Sequence, residues 1–588
     1  MLTSLTLIGC EEWLSTFDEA LRLSRYEICE TLLEVRHALR LASYFQLGSV
    51  SQSEGDYYQS LARYAEAEQE YRESIWAKQQ ALKTEEDAET YNNLGNSYSK
   101  LADLQLRLAT YQDALSSYQK ALIAYSKSLR CAPQFLSALN NQGLALESLG
   151  KLQVRLSQHS AALSSYQQAI AVFDEVLIHS PDHIYAHNNK GCALESLGDL
   201  QDGFSQHSAA LNSYQQAIVV FDKVLARSPD YIYGHSNKGN VLSKLGMLLA
   251  QLSRHNDALR IYQQAIAAFD KALNCAPDYI NALNNKGLTL AKLGMLLARM
   301  ARHNDALHTY QQAVSAFDKA LNHAPKDISA LNNKGLALQS LSNSQVVLLQ
   351  YENALSTYQQ AVMAFDEALS YVPEYVNALN GKGLTLYNLG NLQTRLSQDD
   401  DALCHYQQAI ATYNKALDYA PREVNILNNK GNAFQGLGNV QGRLFQRSDA
   451  LDSYGQAVTA YDKVLEQAPN DINAFNNKGS VLQNLGDLQA KSSQHSHALE
   501  SYQQAIVTYD EVLLHAPNHI SVLNNKGSLY TRLSQLQFDM QLKTEALHSL
   551  QTALQCLERS LAMAPNDAFI RNLRDQVQAW LDNAGDAV

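Results

Sequence analysis

Helix breakers are scarce in this chain: its 588 residues include only ten prolines and 27 glycines. That shortage excludes a turn-rich all-β molecule and leaves long helices as the way to use so much chain. Tryptophan is rarer still, at three, and the aromatic content is mostly tyrosine, 32 against 14 phenylalanines. The seven cysteines (Cys10, Cys29, Cys131, Cys192, Cys275, Cys404, Cys556) stand far apart with no paired spacing. This excludes a zinc or disulfide framework and fits a reducing, cytoplasmic compartment. No run approaches the roughly 18 apolar residues that cross a bilayer, so no integral membrane segment is expected. The opening Leu7-Ile8-Gly9-Cys10 looks like a lipoprotein cleavage box, but it has no basic region before it and its apolar stretch is too short for a signal peptide.

Positive charge is also short, with 46 Lys and Arg against 59 Asp and Glu and a net charge of −13. No broad phosphate-attracting field surrounds such a molecule, which argues against nucleic acid or anionic lipid and mildly favours basic partners. The acidic run Asp399-Asp400-Asp401 reads as a solvated helix start rather than a metal site. No P-loop, dinucleotide turn, HExxH or nucleophile elbow is present, so neither an enzyme nor a cofactor is expected.

What is there is a lattice. Every proline, Pro133, Pro181, Pro229, Pro277, Pro325, Pro373, Pro421, Pro469, Pro517 and Pro565, is 48 residues from the next, and glycines Gly95 to Gly527 follow the same step. Fixed self-similarity of this length marks stacked repeats. Ten full units run over 86–565. A worn copy covers 39–85, where Glu85, Glu86 and Asp87 replace the proline. Residues 566–588 match half a unit as a C-terminal capping helix, and 1–38 read as an N-terminal helical cap with Trp13 buried.

Inside the unit 134–181, Leu139, Gly143, Leu146, Leu149 and Leu156 recur at helical spacing, and Leu163, Tyr166, Ala169, Phe173 and Val176 form a second such stripe. Each unit is therefore a helical hairpin closed by its proline. Ser160, Ser208, Asn256, Asn304, Asp400, Ser448, Ser496 and Thr544 fall where N-caps of the second helix are expected, with Glu352 as the exception. The tyrosine column from Tyr166 to Tyr502 reads as core. The histidines His159, His207, His255, His303 and His495 read as turn residues, too far apart to share a metal.

Stretches such as Asn332-Asn333-Lys334-Gly335-Leu336-Ala337-Leu338 and Ala316-Phe317-Asp318-Lys319-Ala320-Leu321, ending at Ala324-Pro325, closely resemble the tetratricopeptide repeat. The resemblance implies an all-α, right-handed superhelical solenoid of tandem hairpins. The usual repeat of that family is about 34 residues long, and the unit here exceeds it by fourteen. Seven extra residues per helix, about two turns, keep both buried faces in phase and give helices of about 20 residues. Alternatively, the turn lies at Gly150 and the second helix is very long.

On a helical wheel, two asparagine columns lie opposite the buried face. The first runs Asn92, Asn140, Asn188, Asn284, Asn332, Asn380, Asn428, Asn476 and Asn524, with Ser236 as its gap. The second runs Asn93, Asn141, Asn189, Asn237, Asn285, Asn333, Asn429, Asn477 and Asn525, with Gly381 as its gap. Rows of carboxamides pair with the alternating donors and acceptors of an extended peptide, and they resemble the asparagine ladders of kinesin light chain and O-GlcNAc transferase superhelices. Equally, they can tie neighbouring units together, one column doing each job. Variable positions beside them, among them Asn240, Lys244, Leu288, Lys292, Leu336, Asn432 and Asn484, would supply selectivity or simply drift on a solvated face. The lysine column Lys190 to Lys526 sits at the core margin, with packed stems and a second role as an anion clamp. The resemblance implies that this side of the first helices lines a concave groove, and the function expected is a non-catalytic scaffold that holds a protein or peptide there. The alternatives are an architectural spacer or self-assembling rod, and an RNA-binding helical repeat.

Overall fold

A computed structural model describes residues 16–21 and 44–585. Trp13 and the Leu7–Cys10 segment lie outside the described residues, as does most of the expected N-terminal cap. The regular structure described is helical throughout, arranged as tandem hairpins. Two compact units divide it, Met1–Thr289 and Leu290–Val588, the division falling inside the helix Ile280–Arg299.

Each unit is built from one repeated hairpin. A first helix such as Leu136–Arg155 is 20 residues long, its second helix His159–His179 is 21, and a short connector, 156–158, joins them. The middle connector residue, Ser157, has φ 57°. Gln158 N donates to Gln153 O at 2.8 Å and Ser157 N to Val154 O at 3.0 Å, the two bonds of a Schellman turn. The break therefore falls at 156–158 and not at Gly150. The same left-handed position recurs as Ala109, Ser205, Ser253, Ala301, Leu349, Ser397, Phe445, Ser493 and Gln541, never as glycine. A Cβ there costs roughly 1–2 kcal/mol. Leu349 is 70% exposed, so little packing is lost if it is removed. Leu349→Gly is expected to stabilise the protein by about 0.5–1 kcal/mol, part of the relief being offset by glycine's freedom in the unfolded chain. A lower melting temperature for this variant would show that the turn is not strained.

The expected N-caps of the second helix are a correction. Ser160 and its column lie inside the first turn, and the residues at the cap position, Gln158, Arg254 and Gln398, make no side-chain capping bond. The Schellman turn feeds directly into the next helix, so no extended residue with a short oxygen side chain stands there. Side-chain caps occur instead on first helices. Asp327 accepts from Ser329 N and Ala330 N, Asp471 from Ala474 N, and Asp87, in the stretch that lacks proline, from Thr90 N. Between successive hairpins, His183 N donates to Ser180 O, closing a tight turn with Pro181 in the second position, where its fixed φ is favoured.

Rings from the second helix seat directly on glycines of the first. A Cβ on Gly143 would lie 2.5 Å from Phe173, and one on Gly150 2.6 Å from Tyr166. The two helices therefore approach too closely for any side chain at those points. A Ser–Gln bond pins the turn end of the hairpin: Ser165 to Gln153 at 2.8 Å, with equivalents at Ser117–Gln105, Ser213–Gln201, Ser453–Gln441, Ser501–Gln489 and Ser549–Gln537. The expected tyrosine core is present, Tyr166, Tyr214, Tyr358, Tyr406 and Tyr502 all being buried. Asp399, Asp400 and Asp401 open the helix Asp399–Tyr419, and Asp399 pairs with Arg443.

Candidate peptide-binding wall

Within each unit, successive first helices pack on one another, while each second helix contacts its own first helix and the next. The polar face of the first helices thus forms a wall of closely spaced rods. Both asparagine columns lie on it, half-buried or buried, and they bond across hairpins. Nδ2 of the second column donates to Oδ1 of the first, one hairpin earlier: Asn141 to Asn92 at 3.1 Å, Asn189 to Asn140 at 3.1 Å, Asn237 to Asn188 at 3.0 Å, Asn429 to Asn380 at 3.2 Å and Asn525 to Asn476 at 3.1 Å. Both columns thus take part in the bond that ties neighbouring hairpins together. Each pair still keeps one amide oxygen and further amide hydrogens outside that bond.

The ladder breaks at definite places. Gly381 stands where Asn332 needs its donor, and the Asn332 Oδ1 is buried without a partner. Asn477 turns instead to Asn432 at 3.3 Å, which also accepts from the Tyr461 hydroxyl at 2.7 Å, so Asn428 Oδ1 is left over. Asn524 has Leu573 at the next position, and its Oδ1 is likewise unpartnered. Asn333 meets Asn332 at 3.5 Å, and the Asn285 carbonyl accepts from Thr289 at 2.8 Å. Asn284 and Asn285 sit half-buried in Ile280–Arg299.

The variable positions separate into two kinds. Leu288 and Leu336 are 37% and 41% exposed, and Asn240 and Lys292 are half-buried. Others are part of the scaffold. Lys244 binds Glu195 and Asp199, both at 2.6 Å, and Asp199 also accepts from Tyr214 at 2.8 Å. Asn484 donates to Asn439 at 3.3 Å, which accepts from Tyr454 at 2.8 Å. Arg532 pairs with Asp487, the acceptor of the Tyr502 hydroxyl at 2.7 Å. The sequence reading does not contain this tyrosine–acid–base relay between hairpins; its signal is an acid and a base at one fixed offset in two places, Asp199 with Lys244 and Asp487 with Arg532.

The lysine column is engaged too. Lys238, Lys286, Lys334, Lys382 and Lys478 pair at 2.5–2.7 Å with Asp222, Asp270, Asp318, Asp366 and Asp462 of the preceding second helices, and Lys190 and Lys526 pair likewise with Asp174 and Asp510. Lys430 has Asn414 at that place and lies over the Phe434 ring instead, 5.8 Å from its centroid; burial lowers its pKa.

Two hairpins carry histidine where others have the core leucine, as at Leu139 or Leu331. His187 Nε2 donates to Pro181 O at 2.9 Å and His235 Nε2 to Pro229 O at 2.6 Å. His187 Nδ1 is buried with no partner. Burial pulls its pKa down, the Pro181 bond opposes this, and Arg227, Lys223 and Lys190 pull it down further. The unfolded chain then takes a proton near pH 6.5 that the folded chain refuses, so stability is lost as pH falls below that value. His187→Leu should reduce the drop in melting temperature between pH 7 and pH 5. Equal drops in both proteins would contradict this.

Residues 99–154 match the tetratricopeptide repeat family, from the end of one first helix through the second helix to the next first helix. No match is found among curated proteins. Among solved structures, yeast Tom70 is 15% identical, with 92% of this chain and 96% of that one covered at a TM-score of 0.30. A monomeric mutant of IFIT1 with Gppp-AAAA is 14% identical, covering 79% and 91% at 0.33. A MamA RS-1 double mutant is 21% identical, covering 38% and 93% at 0.24. At such TM-scores the superpositions are loose, and it is the chain's own hairpins that define its fold. The proline and glycine landmarks of the matched stretch return at the 48-residue step across 86–565, so the chain is a tandem array of helical hairpins, of which this stretch matches the tetratricopeptide repeat.

Proposed function

We propose that the chain is a non-catalytic interaction scaffold whose first-helix wall takes an extended or helical segment of a partner protein. Tetratricopeptide-type repeats generally mediate protein–protein interactions. The observation that carries the proposal is the wall around Leu336. That side chain is exposed, Leu384 occupies the same position on the next first helix, and both stand beside asparagines whose amide groups are only partly used by the ladder. Apolar anchors among fixed amides suit a partner whose backbone is bonded and whose side chains are selected. Described cysteines such as Cys131, Cys275 and Cys404 are free thiols, in keeping with a cytoplasmic setting, and no helix among the described residues is long and apolar enough to cross a membrane.

Peptides selected from a displayed random library against the native protein should lose at least tenfold in affinity for Leu336→Glu/Leu384→Glu, with helicity unchanged. Full retention of binding rejects the wall as the site. A self-assembling rod is the second reading, favoured by apolar side chains exposed on second helices, Ile178 and Leu514 among them. Light scattering that rises with concentration would favour it.

A further inference from the structure

Four tyrosines and a histidine form a continuous aromatic strip where three consecutive first helices begin. Ring centroids lie 6.2 Å apart for His183–Tyr185, 6.5 Å for Tyr185–Tyr231, 5.7 Å for Tyr231–Tyr233 and 5.9 Å for Tyr233–Tyr279, every pair edge to face. Tyr185 and Tyr233 are 66% and 56% exposed. Neither hydroxyl has a bonding partner among the described residues, whereas the core tyrosines Tyr214 and Tyr454 donate to an acid or amide. The strip lies on the same face as the asparagine wall, since Tyr185 precedes Asn188 and Asn189 by three and four residues and Tyr233 precedes Asn237 by four. Elsewhere in the array its place holds Ser329, Asn377 or Asn473.

Charge accompanies the rings. Asp230 and Asp278 directly precede Tyr231 and Tyr279, both are exposed, and neither is in an ion pair among the described residues; Asp182, the third of the row, is held by Arg227 at 2.6 Å. Surplus acid beside exposed aromatic faces favours a cationic ligand, through charge and through the attraction of a cation to a ring.

Spacing narrows the class. Equivalent tyrosines on neighbouring first helices are one hairpin apart, about 8–10 Å for packed helices. A polyproline II helix repeats every three residues, roughly 9 Å, and leaves its carbonyls free because it has no internal hydrogen bonds. Such a segment would set one face on successive tyrosines in step with the array and accept from their free hydroxyls. An extended β-strand, repeating at about 6.6–6.8 Å, falls out of step.

We infer that this strip docks a proline-rich segment carrying arginine or lysine from a partner protein, prolines on Tyr185, Tyr231, Tyr233 and Tyr279 and a cationic side chain at Asp230 or Asp278. The inference rests on the scaffold reading and names one class of partner for it. The probe is a fluorescent peptide of repeating Arg-Pro-Pro triplets, titrated by anisotropy against the full chain, with Arg-Gly-Gly and Asp-Pro-Pro peptides as controls. The Arg-Pro-Pro peptide should bind at least tenfold more tightly than either control, and Tyr185→Ala/Tyr233→Ala should weaken it at least tenfold while circular dichroism stays unchanged. Equal binding of the Arg-Gly-Gly peptide, equal binding by the variant, or a variant that changes only the oligomeric state would overturn the inference. Should the Arg-Pro-Pro peptide fail while library-selected peptides still depend on Leu336 and Leu384, this inference alone falls and the scaffold reading stands.

Discussion

Phe365→Ala is expected to cost about 3–5 kcal/mol, the range for deleting a fully buried phenylalanine. The ring is completely buried, and it is bounded by glycine on both sides: a Cβ would lie 2.7 Å from it at Gly335 and 2.6 Å at Gly381. Two first helices thus close on one ring, and neither has a side chain there that can collapse into the space left. Because repeat arrays unfold in segments, the loss should be read by hydrogen exchange of 328–395 alongside denaturant unfolding. Protection reduced by less than tenfold would mean that the ring does not hold the hairpins together.

The second large effect concerns the one aromatic position filled by a charge. Lys78 occupies the place that Tyr125 holds one repeat later, facing Gly48 where the later hairpins set a ring on glycine. It is 1% exposed, and its Nζ donates to Gln52 Oε1 at 2.7 Å, Ser97 Oγ at 2.8 Å and Asn93 O at 3.2 Å. Removing it takes one donor from each of these acceptors, leaving Gln52 Oε1 and Asn93 O to the Ser97 hydroxyl, and empties the space facing Gly48, so Lys78→Ala should cost about 2–5 kcal/mol. Burial pushes the ammonium pKa down to about 7, helped by Lys100 and opposed by Asp56. Between that value and the ordinary lysine value of about 10.4, the unfolded chain holds a proton that the folded chain has released, so stability rises with pH across the window. The melting temperature of the native protein relative to Lys78→Met should climb from pH 7 to pH 10. A flat difference would show that the lysine stays charged in its pocket.

The contrast between Phe365 and Lys78 shows what the sequence could and could not convey. A ring opposite a glycine, repeated from Gly95 with Tyr125 to Gly479 with Tyr509, is a local pattern with a local cause, and it leads directly to hairpins with a buried aromatic face. The turn was harder, because its left-handed residue is serine, leucine or phenylalanine rather than the glycine that normally advertises such a position. The short polar residues at Ser160 and Asn256 therefore looked like caps although they lie within the helix. The asparagine columns were visible, but their bonding was not: a bond from one hairpin to the next depends on how the two sit together, which a wheel for a single helix does not contain. The tyrosine strip escaped for the opposite reason, since Tyr185 and Tyr233 interrupt a column held mostly by serine and asparagine and form a surface only when three hairpins stand side by side.

The most direct test of the scaffold account is to place a photo-crosslinking amino acid at position 336, on the first-helix wall, or at position 363, where Met363 is exposed on the second helix Tyr351–Tyr371, and irradiate each with a library-selected peptide. The account predicts crosslinks from 336 and none from 363. Crosslinks from 363 alone would place the partner on the opposite helices and contradict it.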